Sequence, residues 1–170
     1  MAITISIALQ KGGVGKSTTA QALASTLGFK HKKVLLIDMD SQGNVTYSSG
    51  ADTPEHTIFD VLGEDCGADE ALIHCKYYDL LAADTYLTNI EMSENVESTL
   101  LKNALEPIKG NYDFIIIDTP PALGNLSFNS LVASDYVVIP AEPRPFALQG
   151  LGKLHDTIES VRNALNPSLK

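Results

Sequence analysis

The chain has 170 residues, a formal net charge of −9, and 44% hydrophobic against 19% charged residues. That length supports one domain able to bury about two-thirds of its unfolded surface, and the acidic balance argues against a nucleic-acid-coating surface on this stretch, which needs clustered Lys and Arg. No run approaches the roughly 18 apolar residues of a membrane span, no charged-then-apolar signal peptide opens the chain, and Cys66 and Cys75 lack the spacing of a zinc or disulfide framework, so a reduced, cytoplasmic setting is expected.

Met1 to Leu9 reads as a strand, with Ile3, Ile5, Ile7 and Leu9 alternating with Thr4, Ser6 and Ala8. After a glycine-rich loop, Ala20, Leu23, Ala24 and Leu27 have helical spacing and predict a helix from Lys16 to Leu27, with Gly28 as its stop. Lys30, His31, Lys32 and Lys33 read as a solvated turn. Val34 to Ile37 is a continuous apolar run, as in a strand covered on both faces. These elements make a βαβ unit, so the first two strands are expected to be parallel with a right-handed crossover.

Farther along, Thr57–Leu62 and Asp69–His74 read as short helices and Tyr78–Ala82 as a strand. Glu97–Ile108 reads as a helix ended by Gly110. Phe114–Ile117 and Tyr136–Ile139 are strong strands, separated by a helix at Leu126–Ala133. Ala147–Leu165 is a longer helix carrying Leu148, Leu151, Leu154, Ile158, Val161 and Leu165 on one stripe, which predicts core packing. Asn166-Pro167 closes it, and Ser168 to Lys170 lead toward another strand. Alternating strands and helices predict an α/β fold: a doubly wound, mostly parallel sheet.

The segment with the most chemistry is KGGVGKST, Lys11 to Thr18. Its second half is the end of a Walker A phosphate-binding loop, although the generic pattern has glycine where this chain has Gln10. Gly12, Gly13 and Gly15 let the backbone turn tightly around Val14 and bring N–H groups against phosphate oxygens. The N-terminus of the following helix adds partial positive charge. Lys16 is suited to the β- and γ-phosphates, Ser17 to Mg²⁺, and Thr18 to a phosphate oxygen. Two carboxylate clusters follow apolar strands, Asp38-Met39-Asp40 and Asp118 before Thr119-Pro120-Pro121. Strand C-termini are where open α/β sheets bind ligands, so Asp40 and Asp118 are candidates for holding Mg²⁺ directly or through water. Lys11 is an extra cation that could neutralise charge on its own nucleotide or reach across a dimer.

These residues resemble the ParA/Soj/MinD family of deviant Walker A P-loop ATPases. The likeness covers KGGVGKST, VLLIDMDSQGN (Val34 to Asn44), YDFIIIDTPPALG (Tyr112 to Gly124) and SDYVVIPAEPRPFALQGL (Ser134 to Leu151). The DxDxQGN stretch is similar to the ParA partition branch, with Ser41 where that branch usually has proline. The resemblance implies a P-loop NTPase fold and residues 1–170 as one nucleotide-binding domain, the N-terminal part of a longer ATPase. It implies ATP/ADP and Mg²⁺ as cofactors. It makes Lys11 the signature lysine, contacting the partner subunit's nucleotide in an ATP-dependent homodimer. Lys16 and Ser17 would serve phosphate and metal, Asp40 would position the attacking water, and Asp118 would be the Walker B aspartate. The resemblance implies a weak ATPase that is stimulated by a ParB-like adaptor, uses no membrane and segregates plasmids or chromosomes in the cytoplasm; binding of non-specific DNA and nucleoid association are implied for the full-length form. Members usually run to about 250 residues, so the chain is expected to be C-terminally incomplete.

Other readings compete. A MinD-like positioning ATPase relies on an amphipathic C-terminal helix, and Ala147–Leu165 lacks the basic polar side this needs. A dethiobiotin-synthetase-like ligase needs an acceptor pocket that the sequence does not identify. A nitrogenase-reductase role needs cluster-binding cysteines, which Cys66 and Cys75 do not supply. A nucleotide- or adaptor-binding module with negligible turnover stays open.

Overall fold

The computed structural model describes residues 2–51, 53–141 and 147–170, with the backbone alone for 147–149. Strands β1 (Ile3–Ile7), β2 (Val34–Asp38), β3 (Leu72–His74), β4 (Asp79–Leu81), β5 (Phe114–Asp118) and β6 (Tyr136–Val138) form one sheet in the order β3-β4-β2-β5-β1-β6. All neighbours are parallel except β3 and β4. The helices are α1 (Lys16–Phe29), α2 (Asn44–Ser48), α3 (Ile58–Leu62), α4 (Leu87–Met92), α5 (Leu100–Lys109), α6 (Asn125–Ala133) and α7 (Ala147–Ala164).

The two apolar strands explain the layering. Along β2 and β5, Leu35, Ile37, Ile115 and Ile117 point into one core with α3, α5 and part of α6. The intervening Val34, Leu36, Phe114 and Ile116 pack with Ala20 and Ala24 of α1 in a second core. Strand side chains alternate in direction, so a strand covered on both faces must be apolar throughout. β1 differs: Thr4 and Ser6 are buried although polar. The Ser6 hydroxyl is 2.7 Å from the Ser134 hydroxyl and donates to the Ser130 carbonyl at 3.1 Å, so it is satisfied by the end of α6, and the Thr4 backbone amide donates to the Asp135 carboxylate at 2.8 Å, tying β1 to the turn beyond.

Several expectations are corrected. Asp69–His74 is not a helix: Leu72–His74 pairs antiparallel with β4 as an edge strand, closed by the Cys75 amide donating to the Tyr78 carbonyl at 2.9 Å. Gly28 does not stop α1, which runs on to Phe29. A Cβ there would run into the backbone of Tyr77, so the glycine admits the β3–β4 hairpin against the helix. On α7, Leu154 and Val161 are buried, and Leu151 and Ile158 pack against the same cores. Leu165 lies past the last helical residue and is exposed, and the Leu148 side chain is outside the described residues, as are Met1 and Glu142–Phe146. No strand is assigned over Ser168–Lys170, although the Lys170 amide donates to the Asp135 carbonyl at 3.0 Å and the Lys170 carbonyl accepts from the Val137 amide at 2.8 Å, beside β6. The one-turn helices α2 and α4 lack any sequence expectation. No helix is long and apolar enough to cross a membrane among the described residues.

Candidate nucleotide-binding site

The loop leaves the C-terminal end of β1 and enters α1, between β5 and β6 in the sheet. Gly13 and Gly15 adopt left-handed backbone conformations, with φ of 70° and 83°. Gly15 is the N-cap of α1 and supplies no side-chain cap, which leaves the first-turn amides free for a ligand. The loop rims a cleft of about 860 Å³, a volume suited to a small-molecule ligand.

Gly12, Gly13, Gly15, Lys16, Ser17 and Thr18 line this cleft, opposite Asp40, Gln42 and Pro120–Pro121. Lys11 and Val14 do not line it. Val14 packs in a small core with Ala8, Leu9 and Leu154. Lys11 is half-buried, and its carbonyl accepts a hydrogen bond from the Lys16 ammonium at 3.1 Å. Lys16 is 7% exposed. Burial pushes its pKa down, against the attraction of Asp118 and Asp40. An ammonium this desolvated favours a close anion over solvent.

The carboxylates divide by partner. Asp38 is fully buried and occupied: one oxygen accepts from the Thr46 amide and hydroxyl, both at 2.8 Å, and the other from the Asp40 amide at 3.2 Å. These bonds build α2 from an otherwise turn-like segment, after Gly43 in a left-handed conformation. The Thr46 hydroxyl in turn accepts from the Ala83 amide at 2.8 Å, tying α2 to the end of β4. Asp40 uses one oxygen to accept from the Gln42 amide at 3.0 Å and faces the cleft.

Asp118 is fully buried, and neither carboxylate oxygen has a completed hydrogen bond. The Ser17 hydroxyl lies near enough to favour the charged form without forming a well-aligned bond. Burial dominates and raises the Asp118 carboxyl to about 7, with Asp38 and Asp40 adding to the rise and Ser17 and Lys16 opposing it. A buried, unpartnered carboxylate is costly unless a cation or donor completes it. Asp118, the Ser17 hydroxyl and the Asp40 carboxylate are all hard oxygen donors, and this set fits Mg²⁺. Among the described residues no group of three or more His, Cys, Asp or Glu could hold a metal on its own; Mg²⁺ keeps several waters and takes phosphate oxygens alongside one or two carboxylates.

The structure adds lining residues that the sequence did not single out: Gln21, Ser48, Thr88, Glu91 and Leu126. Only Gln21 had a local signal, being one helical turn after Ser17. Thr88 and Glu91 come from α4, whose position depends on contacts made far along the chain.

The family model described as "AAA domain" matches residues 2–170. The chain is 41% identical to the sporulation initiation inhibitor protein Soj of Bacillus subtilis, over 97% of the chain and 68% of that protein. It is also 41% identical to the chromosome partitioning protein ParA of Myxococcus xanthus, over 98% of the chain and 61% of that protein. Among solved structures, a Mycobacterium smegmatis cobyrinic acid a,c-diamide synthase with bound ADP and magnesium superposes at a TM-score of 0.95 with 35% identity, covering 100% of this chain and 72% of that one. A plasmid partition protein of Borrelia burgdorferi superposes at 0.89 with 34% identity, covering 95% and 75%. The motif, the sheet order and these relatives agree, and the chain belongs to the ParA-type P-loop ATPases.

Proposed function

We propose that residues 1–170 form the nucleotide-binding domain of a partition ATPase that binds ATP and ADP with Mg²⁺ and turns ATP over slowly until partners stimulate it. The observation that carries this reading is Asp118: a buried carboxylate without a hydrogen bond, beside Lys16 and Ser17 at the mouth of a phosphate loop. The ADP and magnesium in the M. smegmatis neighbour support the choice of ligand.

In this reading the free amides of Gly12 to Lys16 cradle phosphate oxygens. Lys16 leaves the Lys11 carbonyl for the β- and γ-phosphates, and Thr18 donates to a phosphate oxygen. Ser17, Asp118 and Asp40 are the residues that would hold Mg²⁺, which when bound neutralises charge developing on the transferred phosphoryl group. Asp40, with one oxygen fixed by Gln42, orients the attacking water with the other. Lys11, set outside the cleft, reaches the nucleotide of a second copy in an ATP-dependent homodimer. A role in segregation is supported by the name of the Myxococcus xanthus chromosome partitioning relative, and DNA, a ParB-like adaptor, a plasmid or chromosome as cargo and a cytoplasmic setting are part of the same proposal.

Calorimetry with Mg²⁺ and ADP tests the core of the proposal. Lys16→Ala should weaken binding by at least about tenfold, the loss of a charge-assisted bond. Unchanged affinity would sink the assignment of the loop. Turnover that rises with DNA and adaptor supports the partition role, and a flat response leaves a passive nucleotide-binding module. A second reading rests on the name of the M. smegmatis neighbour: an ATP-dependent amide-forming enzyme, whose hydrolysis would depend on a carboxylic acid acceptor and an amine donor.

A further inference from the structure

The proposed nucleotide cleft is bordered by two long-helix N-termini, and only one of them is open. α1 begins with free amides behind Gly15. α6 begins behind Gly124, which has no side chain to cap it. The cap comes from 35 residues upstream in sequence, because the Glu91 carboxylate on α4 accepts from the Leu126 amide at 2.9 Å. The return contact runs the other way. The Asn125 side-chain amide donates to the carbonyls of Ile90, Glu91 and Ser93 at 3.0, 3.3 and 2.8 Å, closing the C-terminal end of α4. Each helix therefore satisfies the orphan backbone groups of the other.

Gly124 belongs to the same device. Its backbone is extended, with φ −101° and ψ −154°, so an L-residue could adopt it without strain. What excludes a side chain is Glu91 itself: a Cβ on Gly124 would run into the carboxylate. The glycine is there to seat the glutamate.

We infer that Glu91 is a positioning residue of the nucleotide site, a latch that fixes the Asp118–Leu126 wall against the phosphate loop. The segment from Asp118 through Pro120, Pro121 and Ala122 runs directly into α6, so the start of α6 sets where that wall can lie. At its far end β5 is held by the sheet. At its start the Asp118 carbonyl accepts from the Met39 amide at 2.9 Å and the Thr119 hydroxyl donates to the Ile7 carbonyl at 2.9 Å, so it is the Pro120–Leu126 end that rests on the Glu91 and Asn125 bonds and on the Ser127 hydroxyl bond to the Ala122 carbonyl. Glu91 also fills the α6 terminus with an anion, which leaves the α1 terminus as the place for phosphate. The latch rests on the proposed nucleotide function, because it holds the wall that follows Asp118, one of the residues that would hold Mg²⁺, along the cleft.

The experiment is a double-mutant cycle read in two ways, by calorimetric affinity for ADP with Mg²⁺ and with chelator, and by thermal unfolding. Glu91→Ala should weaken Mg²⁺·ADP binding about fivefold, the effect of losing one helix cap, while leaving ADP affinity in chelator within about twofold. It should lower the melting temperature by about 3 °C. Glu91→Gln keeps an acceptor oxygen and should restore most of both. Gly124→Ala should reproduce the Glu91→Ala effects by expelling the carboxylate, and the double variant should be no worse than either single one. Additive losses in the double variant, or equal losses with and without Mg²⁺, would overturn the latch. If the wild type itself fails to bind Mg²⁺·ADP, the nucleotide reading fails, and the melting-temperature cycle still decides whether Glu91 and Gly124 are coupled.

Discussion

Asp38 and Asp118 are register partners at the ends of β2 and β5, both fully buried, yet Asp38 holds three donors and Asp118 none. One carboxylate is a structural hub and its neighbour is kept unsatisfied. The two make opposite predictions.

Burial raises the Asp118 carboxyl from 3.8 to about 7. The folded state then keeps a proton that the unfolded chain has already lost, so the stability linked to this group is full below about pH 4, declines as pH rises, and is gone above about 7. Asp118→Asn removes that loss. In ligand-free protein its stability relative to wild type should be about 2–3 kcal/mol more favourable at pH 8 than at pH 5. Urea midpoints at the two pH values measure this, and a gap independent of pH would contradict it.

Asp38→Ala should do the reverse. It strips acceptors from the Thr46 amide, the Thr46 hydroxyl and the Asp40 amide in a dry environment, and a loss of about 3 kcal/mol is expected. Thr46→Val, which keeps the backbone bond, should cost less. Equal stability of Asp38→Ala and wild type in denaturant would show that α2 is held by other means.

Asp40→Ala should separate binding from chemistry. Its carboxylate faces the cleft and forms one local bond, so nucleotide affinity should stay within about threefold while turnover drops by roughly a hundredfold or more. Single-turnover hydrolysis at the wild-type rate would remove Asp40 from the mechanism.

Gly28→Ala tests the hairpin seat. The added methyl meets the Tyr77 backbone, which has little room to move because Tyr78 is anchored by Ser49 at 2.9 Å and Gln21 at 3.1 Å. Overpacking of this kind costs roughly 1–3 kcal/mol, despite alanine's better helix propensity. A stabilised variant in thermal melts would mean that the hairpin yields.

What was legible in the sequence was what is local. The βαβ start, the phosphate loop and the apolar strands announce themselves through periodicity and spacing, and Thr57 with Asp60 forms a capping box where the chain suggests a helix start. β3 was illegible because its strand character comes from the ladder with β4 rather than from any pattern in its own residues. Asp38 read only as a member of the Asp38-Met39-Asp40 carboxylate cluster, and its bonds to Thr46 reveal a structural role. Glu91 had no local signature at all, since its partner lies on another helix. The Lys16 contact with the Lys11 carbonyl likewise depends on how the loop closes.

The sheet order has a consequence for hydrogen-exchange measurements. β1, β2 and β5 each have strands on both sides, whereas β3 is an edge strand. The strands that carry the proposed site are therefore expected to exchange their amides only on global opening. A ligand arriving at this cleft can slow those strand amides only together, by stabilising the folded state as a whole. Its local footprint should fall on the amides of Gly12 to Ser17, on α2 and on the turn after Asp118, over and above that uniform change in the strands.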